Sequence, residues 1–115
     1  PYTTLFRSQQ CTINDIAVLD KLPNDLSSFD VIIDAIFGYS FTGEVRAPFD
    51  TVLKQLKATS VPIVAVDIPS GWNVETGNSS DVGLEPAVLI SLTAPKLCAK
   101  QFKGVCLMMF NLFLL

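Results

Sequence analysis

Three short apolar runs, Val31–Phe37, Val61–Val66 and Ala87–Leu92, constrain this chain more than any other feature. Each is rich in branched side chains, and each leads into a polar or glycine-containing stretch. Runs of this length are short for core helices and too continuous for strands with one wet face. They read as strands buried on both faces of a parallel sheet. Pro62 fits the second run only at its beginning, because proline cannot donate to a ladder. Between the first two runs, Pro48 stands where a helix would open, and Phe49, Val52, Leu53 and Leu56 fall on one apolar stripe. Asp50 near the start, with Lys54 and Lys57 near the end, complements the helix dipole. Strand, helix, strand and strand joined by crossovers imply parallel pairing and a doubly wound α/β fold. Upstream, Thr12-Ile-Asn-Asp reads as the start of a helix to Leu22, ended by a turn at Pro23-Asn24-Asp25. Pro95 is placed to open another helix after the third strand.

With 115 residues the chain makes one domain at most. Half of it is hydrophobic and only 17% charged, against about 25% charged in ordinary soluble domains, which fits a well-buried sheet rather than a disordered tail. A net charge of −3 with scattered lysines and arginines gives no footprint for nucleic acid or an anionic membrane. Histidine is absent and the three cysteines have no C-x-x-C spacing, which argues against an ordinary zinc site and any His-dependent triad. Cys11, Cys98 and Cys106 are expected to be inert thiols in a reducing compartment.

Both ends differ in character from the middle. Pro1–Ser8, PYTTLFRS, equals one translation of a common sequencing-library adaptor, so residues 1–8 are set aside from the fold expectation. After Gly104 comes VCLMMFNLFLL, apolar except for Asn111 and far shorter than the roughly 20 residues that span a bilayer. It has the composition of a strand. Val105-Cys106 can also be encoded by a common intron start, and residues 105–115 are expected to be a non-native read-through tail. Residues 9–104 remain as a partial domain.

In an open parallel sheet, ligands bind beyond the carboxyl ends of the strands. Those ends are Gly38–Glu44, Asp67–Ser70 and Thr93–Lys96. Asp34 lies inside an apolar run, where a carboxylate is costly unless it is paired, cation-bound or hydrogen-bonded to neighbouring N–H groups. Asp67 closes a strand as a turn acid or as a group facing the crevice, and its position alone favours neither. Gly38–Gly43 has G-x-x-x-x-G spacing, but Glu44-Val45 follows where a phosphate loop needs Lys and Ser/Thr. Ser40 and Ser70 both lack the G-x-S-x-G of a hydrolase elbow.

The ordered segments DAIFGYSFTGEVRAPF, VDIPSGW and LISLTAPK resemble the later motifs of the NAD(P)H-hydrate epimerase family, also described as the apolipoprotein A-I binding protein family. The likeness covers roughly residues 30–104 and stops at Gly104, where the family continues into a tyrosine- and glycine-rich segment. It implies a Rossmann-like three-layer αβα fold with a mostly parallel sheet, of which this chain holds the later half. The implied activity is an isomerase reaction, epimerisation of R and S hydrated NADH and NADPH at C6. By the resemblance, Asp34 and Ser70 help hold one potassium ion per subunit. Gly38, Tyr39, Ser40, Phe41, Thr42, Gly43 and Glu44 contact the substrate together with Asp67, and Asp67 and Lys96 are the catalytic pair. The family's GNNGGDG loop, which supplies a further potassium ligand and much of the phosphate cradle, has no counterpart here. The chain alone is therefore expected to be inactive. Hydrated NADH or NADPH is the partner implied, in a cytoplasmic or mitochondrial setting compatible with a homodimer and with no nucleic acid or membrane span. The alternative is a non-catalytic Rossmann-like binding protein of the apolipoprotein-binding type.

Overall fold

A computed structural model of the chain describes residues 2–79 and 81–109. Its elements run α1 (Tyr2–Ile13), β1 (Ile32–Asp34), α2 (Phe49–Ala58), β2 (Ile63–Val66), β3 (Val88–Leu92), a 3₁₀ helix (Leu97–Gln101) and β4 (Val105–Met109). The four strands form one sheet in the order β1-β2-β3-β4, and every pair is parallel. This is a Rossmann-like α/β arrangement. All strand carboxyl ends consequently lie on one rim.

The helix over 49–58 forms as its stripe requires. Leu53 and Leu56 are buried on it and pack with Leu26, Ile63 and Leu84, with Ile32 and Ile36 of the β1 region against them. A second cluster joins Ile68, Trp72 and Cys98, with Phe102 edge-on to Trp72. The β-strands are shorter than their apolar runs for local reasons. β2 starts after Pro62, whose carbonyl instead accepts the Ile32 N–H at 3.0 Å. β1 stops at Asp34, whose carboxylate accepts the Ile36 N–H at 3.3 Å and curls the chain out of the ladder.

Registers Ile33↔Val64, Val64↔Val88 and Val88↔Val105 define one sheet face, continued by Val66, Ile90 and Leu107. The opposite face carries Ile32, Asp34, Ile63, Ala65, Leu89 and Ser91 and is the packed one. On the first face Ile33, Val105 and Leu107 are each more than half exposed. The described residues therefore supply the sheet and one covering layer, where a doubly wound fold has two. β4, drawn from the apolar tail, pairs along all five residues with β3 and is exposed on both faces. The tail's remaining residues, 110–115, lie outside the described ones, as does Pro1.

The expected helix from Thr12 to Leu22 does not form. Helix α1 ends at Ile13, with Asp15 at φ 55° and hydrogen bonds from Ile16 N to Cys11 O and from Asp15 N to Thr12 O. That is a Schellman ending, in which an aspartate takes the left-handed position usually given to glycine. Thr-Ile-Asn-Asp therefore closes a helix instead of opening one. After Pro95, Leu97–Gln101 turns as a 3₁₀ helix and not an α-helix. Among the described residues no helix is long and apolar enough to cross a membrane.

Candidate functional site

Two side chains from different loops meet at the carboxyl rim. Asp67 follows β2, Lys96 follows β3, and the Lys96 ammonium donates to Asp67 Oδ1 and, at 2.8 Å, to the Leu92 carbonyl. Both side chains are 15% exposed, so water screens the pair only weakly. Asp67 Oδ2 accepts the Tyr39 N–H at 3.0 Å, which ties the loop after β1 to the same carboxylate. Gly38 makes that approach feasible, because a Cβ there would stand 3.3 Å from Asp67 Oδ2.

Asp67 has φ 72°, and the Ile68 N–H bonds back to the Val66 carbonyl at 3.0 Å. A bond spanning one residue with positive φ at its centre is a γ-turn of the rare, strained kind. Aspartate tolerates such backbone better than most residues. The turn lifts the carboxylate off the end of β2 and toward the rim.

A cavity of about 560 Å³ opens there, lined by Tyr39, Asp67, Glu75, Thr93, Pro95 and Lys96 among others. Of the residues expected from sequence, Tyr39, Asp67 and Lys96 share it. Phe41, Thr42 and Gly43 line a separate cavity of about 250 Å³ beside Trp72 and Asn73. Ser40 and Glu44 are exposed in the same loop. That loop is anchored by Phe37, which stacks on Phe41 with ring centroids 4.0 Å apart and meets Phe49 edge-on. Val74 and Glu75 were not anticipated. They reach the cavity because the excursion after Trp72 folds back, with Cys98 N bonding Val74 O at 3.0 Å, and no local pattern announces a contact of that kind. Thr93 and Pro95 lie in the strand end Thr93–Lys96 expected to face a ligand, and both line the cavity.

Asp34 and Ser70 form a second group, deeper in the molecule. Ser70 donates its N–H to Asp34 Oδ2 at 2.8 Å and its hydroxyl to Oδ1 at 2.6 Å, while Ser70 Oγ accepts the Phe37 N–H at 3.2 Å. Asp34 is 1% exposed and Ser70 fully buried, and among the described residues no lysine or arginine pairs with the carboxylate. The hydrogen bonds satisfy its oxygens but leave its charge unmatched, and a buried unmatched charge favours a cation nearby. The atoms able to coordinate a cation here, the Asp34 carboxylate and the Ser70 hydroxyl, are oxygens, as an alkali cation prefers. No three His, Cys, Asp or Glu side chains gather into a metal-binding group among the described residues, so an ion here would lean on this one carboxylate, the hydroxyl and backbone oxygens.

Cys98 is buried behind the rim, and burial pushes its thiol pKa up, which keeps it protonated and unreactive.

Residues 2–98 match the family model described as YjeF-related protein N-terminus. Among solved structures, the chain is similar to the one titled "Crystal structure of yeast ynu0, YNL200c", at 43% sequence identity and a TM-score of 0.62. The match covers 64% of this chain and 31% of the yeast chain, so the chain spans under a third of that relative's length.

Proposed function

Because the chain belongs to the family of YjeF-related protein N-termini, the NAD(P)H-hydrate epimerase family its motifs resemble, we propose that it carries the acid/base part of a site that interconverts the R and S hydrates of NADH and NADPH at C6. The observation that carries this reading is the hydrogen bond between Lys96 and Asp67 on the wall of the rim cavity.

The chemistry asks for one proton delivered and returned at one place. C6 of the hydrate bears a hydroxyl next to the ring nitrogen. The nitrogen lone pair forms a C=N bond as the C6–O bond breaks, and the departing hydroxyl takes a proton to leave as water. Water then adds to the opposite face of the conjugated iminium and gives a proton back. Asp67 transfers that proton in both directions, and Lys96 steadies the carboxylate and its charge during transfer. The Tyr39 N–H holds the second carboxylate oxygen, so the acid/base group keeps one orientation. The apolar walls from Val74, Leu92 and Leu97 limit the water available to the iminium. No hydride moves, and the reaction is an isomerisation.

A potassium ion at Asp34 and Ser70 would neutralise the buried carboxylate and draw together the loops that follow β1 and β2. The remaining loop residues are proposed substrate contacts, Gly38 beside Asp67 and Ser40–Glu44 further along the loop.

The test is a fusion in which the yeast relative supplies the earlier part of the domain and this chain supplies residues 30–104. Chromatography follows a single hydrate epimer becoming a mixture. Interconversion above the spontaneous rate supports the reading. A fusion that binds the hydrate without converting it would favour the non-catalytic binding protein instead.

A further inference from the structure

Among the described residues, four that are not glycine have clearly positive φ: Asp15, Asp67, Asp81 and Thr93. The three aspartates belong to a residue type that visits this region with little penalty, but a β-branched threonine does not. Thr93 has φ 66°, and the Ala94 N–H bonds back to the Leu92 carbonyl at 2.7 Å, so Thr93 is the centre of a second strained γ-turn. Elsewhere the chain uses glycine for such backbone, at Gly43, Gly71 and Gly77.

No contact among the described residues explains a threonine there. Its side chain is exposed, so packing does not hold it, and its hydroxyl makes no hydrogen bond among the described residues. Its backbone is another matter. The N–H reaches Met109 O at 3.0 Å, and the turn directs the Leu92 carbonyl at the Lys96 ammonium. A glycine would serve all of these backbone roles with less strain. The side chain, meanwhile, lines the rim cavity beside Asp67 and Lys96. Strain that a fold retains without internal return collects where a ligand is met.

We propose that Thr93 is a ligand-contacting residue whose hydroxyl donates a hydrogen bond to a polar group on the ring that reacts at Asp67, with the carboxamide of the hydrated nicotinamide as the acceptor. The ligand named rests on the epimerase reading, whereas the strain at Thr93 does not.

Three variants of the full 115-residue chain separate the possibilities, each measured for melting temperature and for binding of hydrated NADH by NMR titration. Thr93→Gly relieves the strained backbone and is expected to raise the melting temperature by about 4 °C. It should weaken hydrated NADH about fivefold, the usual scale of one lost hydrogen bond. Thr93→Ser keeps the hydroxyl and should bind within about twofold of wild type, while Thr93→Val keeps the shape and should bind as poorly as glycine. A glycine variant that is more stable and binds equally well would overturn the proposal. So would a glycine variant of lowered stability, which would make the side chain structural. If wild type gives no shifts with hydrated NADH, the carboxamide assignment falls, while interconversion by the fusion decides the epimerase reading on its own. Binding by wild type that survives in Thr93→Val removes this inference alone.

Discussion

Lys96 and Asp67 stand 29 residues apart in sequence, yet the ammonium of one donates to the carboxylate of the other at the adjoining ends of β3 and β2. Each arrives on its own loop, and parallel pairing of the two strands is what brings the loops to the same height.

The first prediction follows from that pair. In the fusion with the yeast relative's earlier segment, Asp67→Asn keeps the size of the side chain and removes the base. Loss of a general acid/base group lowers rate by about 10²–10⁴-fold. Chromatographic rates within about threefold of the unmodified fusion would exclude Asp67 from proton transfer.

The second concerns the buried carboxylate. Potassium bound at Asp34 and Ser70 should raise the fusion's melting temperature as its concentration rises, by ligand linkage. Tetramethylammonium, too large for the site, should not. Asp34→Ala should abolish the difference and also destabilise by roughly 2–4 kcal/mol, because three donors, Ile36 N, Ser70 N and Ser70 Oγ, lose their acceptor. Equal rises in the two salts would mean ionic strength alone.

A third prediction compares two glycines with nearly the same φ. Gly43 has φ 92° and an added Cβ would meet nothing within 4 Å, whereas at Gly71, φ 89°, it would stand 2.6 Å from the Gly83 Cα. Gly43→Ala should cost only the conformational penalty, about 1 kcal/mol. Gly71→Ala must also force two backbones apart and should cost about 3 kcal/mol or more. Urea midpoints of the two variants give the order, and equal midpoints would refute the close approach.

The fourth concerns the uncovered sheet face. Ile33, Val105 and Leu107 expose apolar surface on a sheet whose edge strand β4 has no second neighbour among the described residues, a combination that invites pairing between molecules. The 115-residue chain should self-associate and bind a hydrophobic dye. Leu107→Lys should shift sedimentation toward monomer, since lysine on an edge opposes pairing. A wild-type chain that sediments as monomer at high concentration would contradict this.

Sequence pattern reaches some of these features and misses others for physical reasons. The apolar stripe from Phe49 to Leu56 and the runs ending at Val66 and Leu92 mark their elements because burial imposes a period on neighbouring residues. Asp34 was conspicuous as a charge inside an apolar run, and of its readings the hydrogen-bonded one is met by the N–H groups of Ile36 and Ser70. Asp15 misled, because the residue types that open a helix also tolerate the left-handed turn that closes one. Strain at Thr93 and the reach of Glu75 were invisible, as each depends on where a distant segment lies and not on local composition.

The excursion between β2 and β3 is fastened at its base. Leu84 N bonds Ser70 O at 3.0 Å, the Trp72 indole N–H bonds Leu84 O at 2.7 Å, and Gly71 and Gly83 lie back to back. Beyond that clasp, Val74 and Glu75 face the cavity while neither Asp67 nor Lys96 belongs to the segment. Because closing a somewhat longer loop adds little entropic cost, a change of length near the tip should leave Asp67 and Lys96 in place. A change at the tip alters the cavity wall at Val74 and Glu75, while the Ser70–Leu84 bond holds the base.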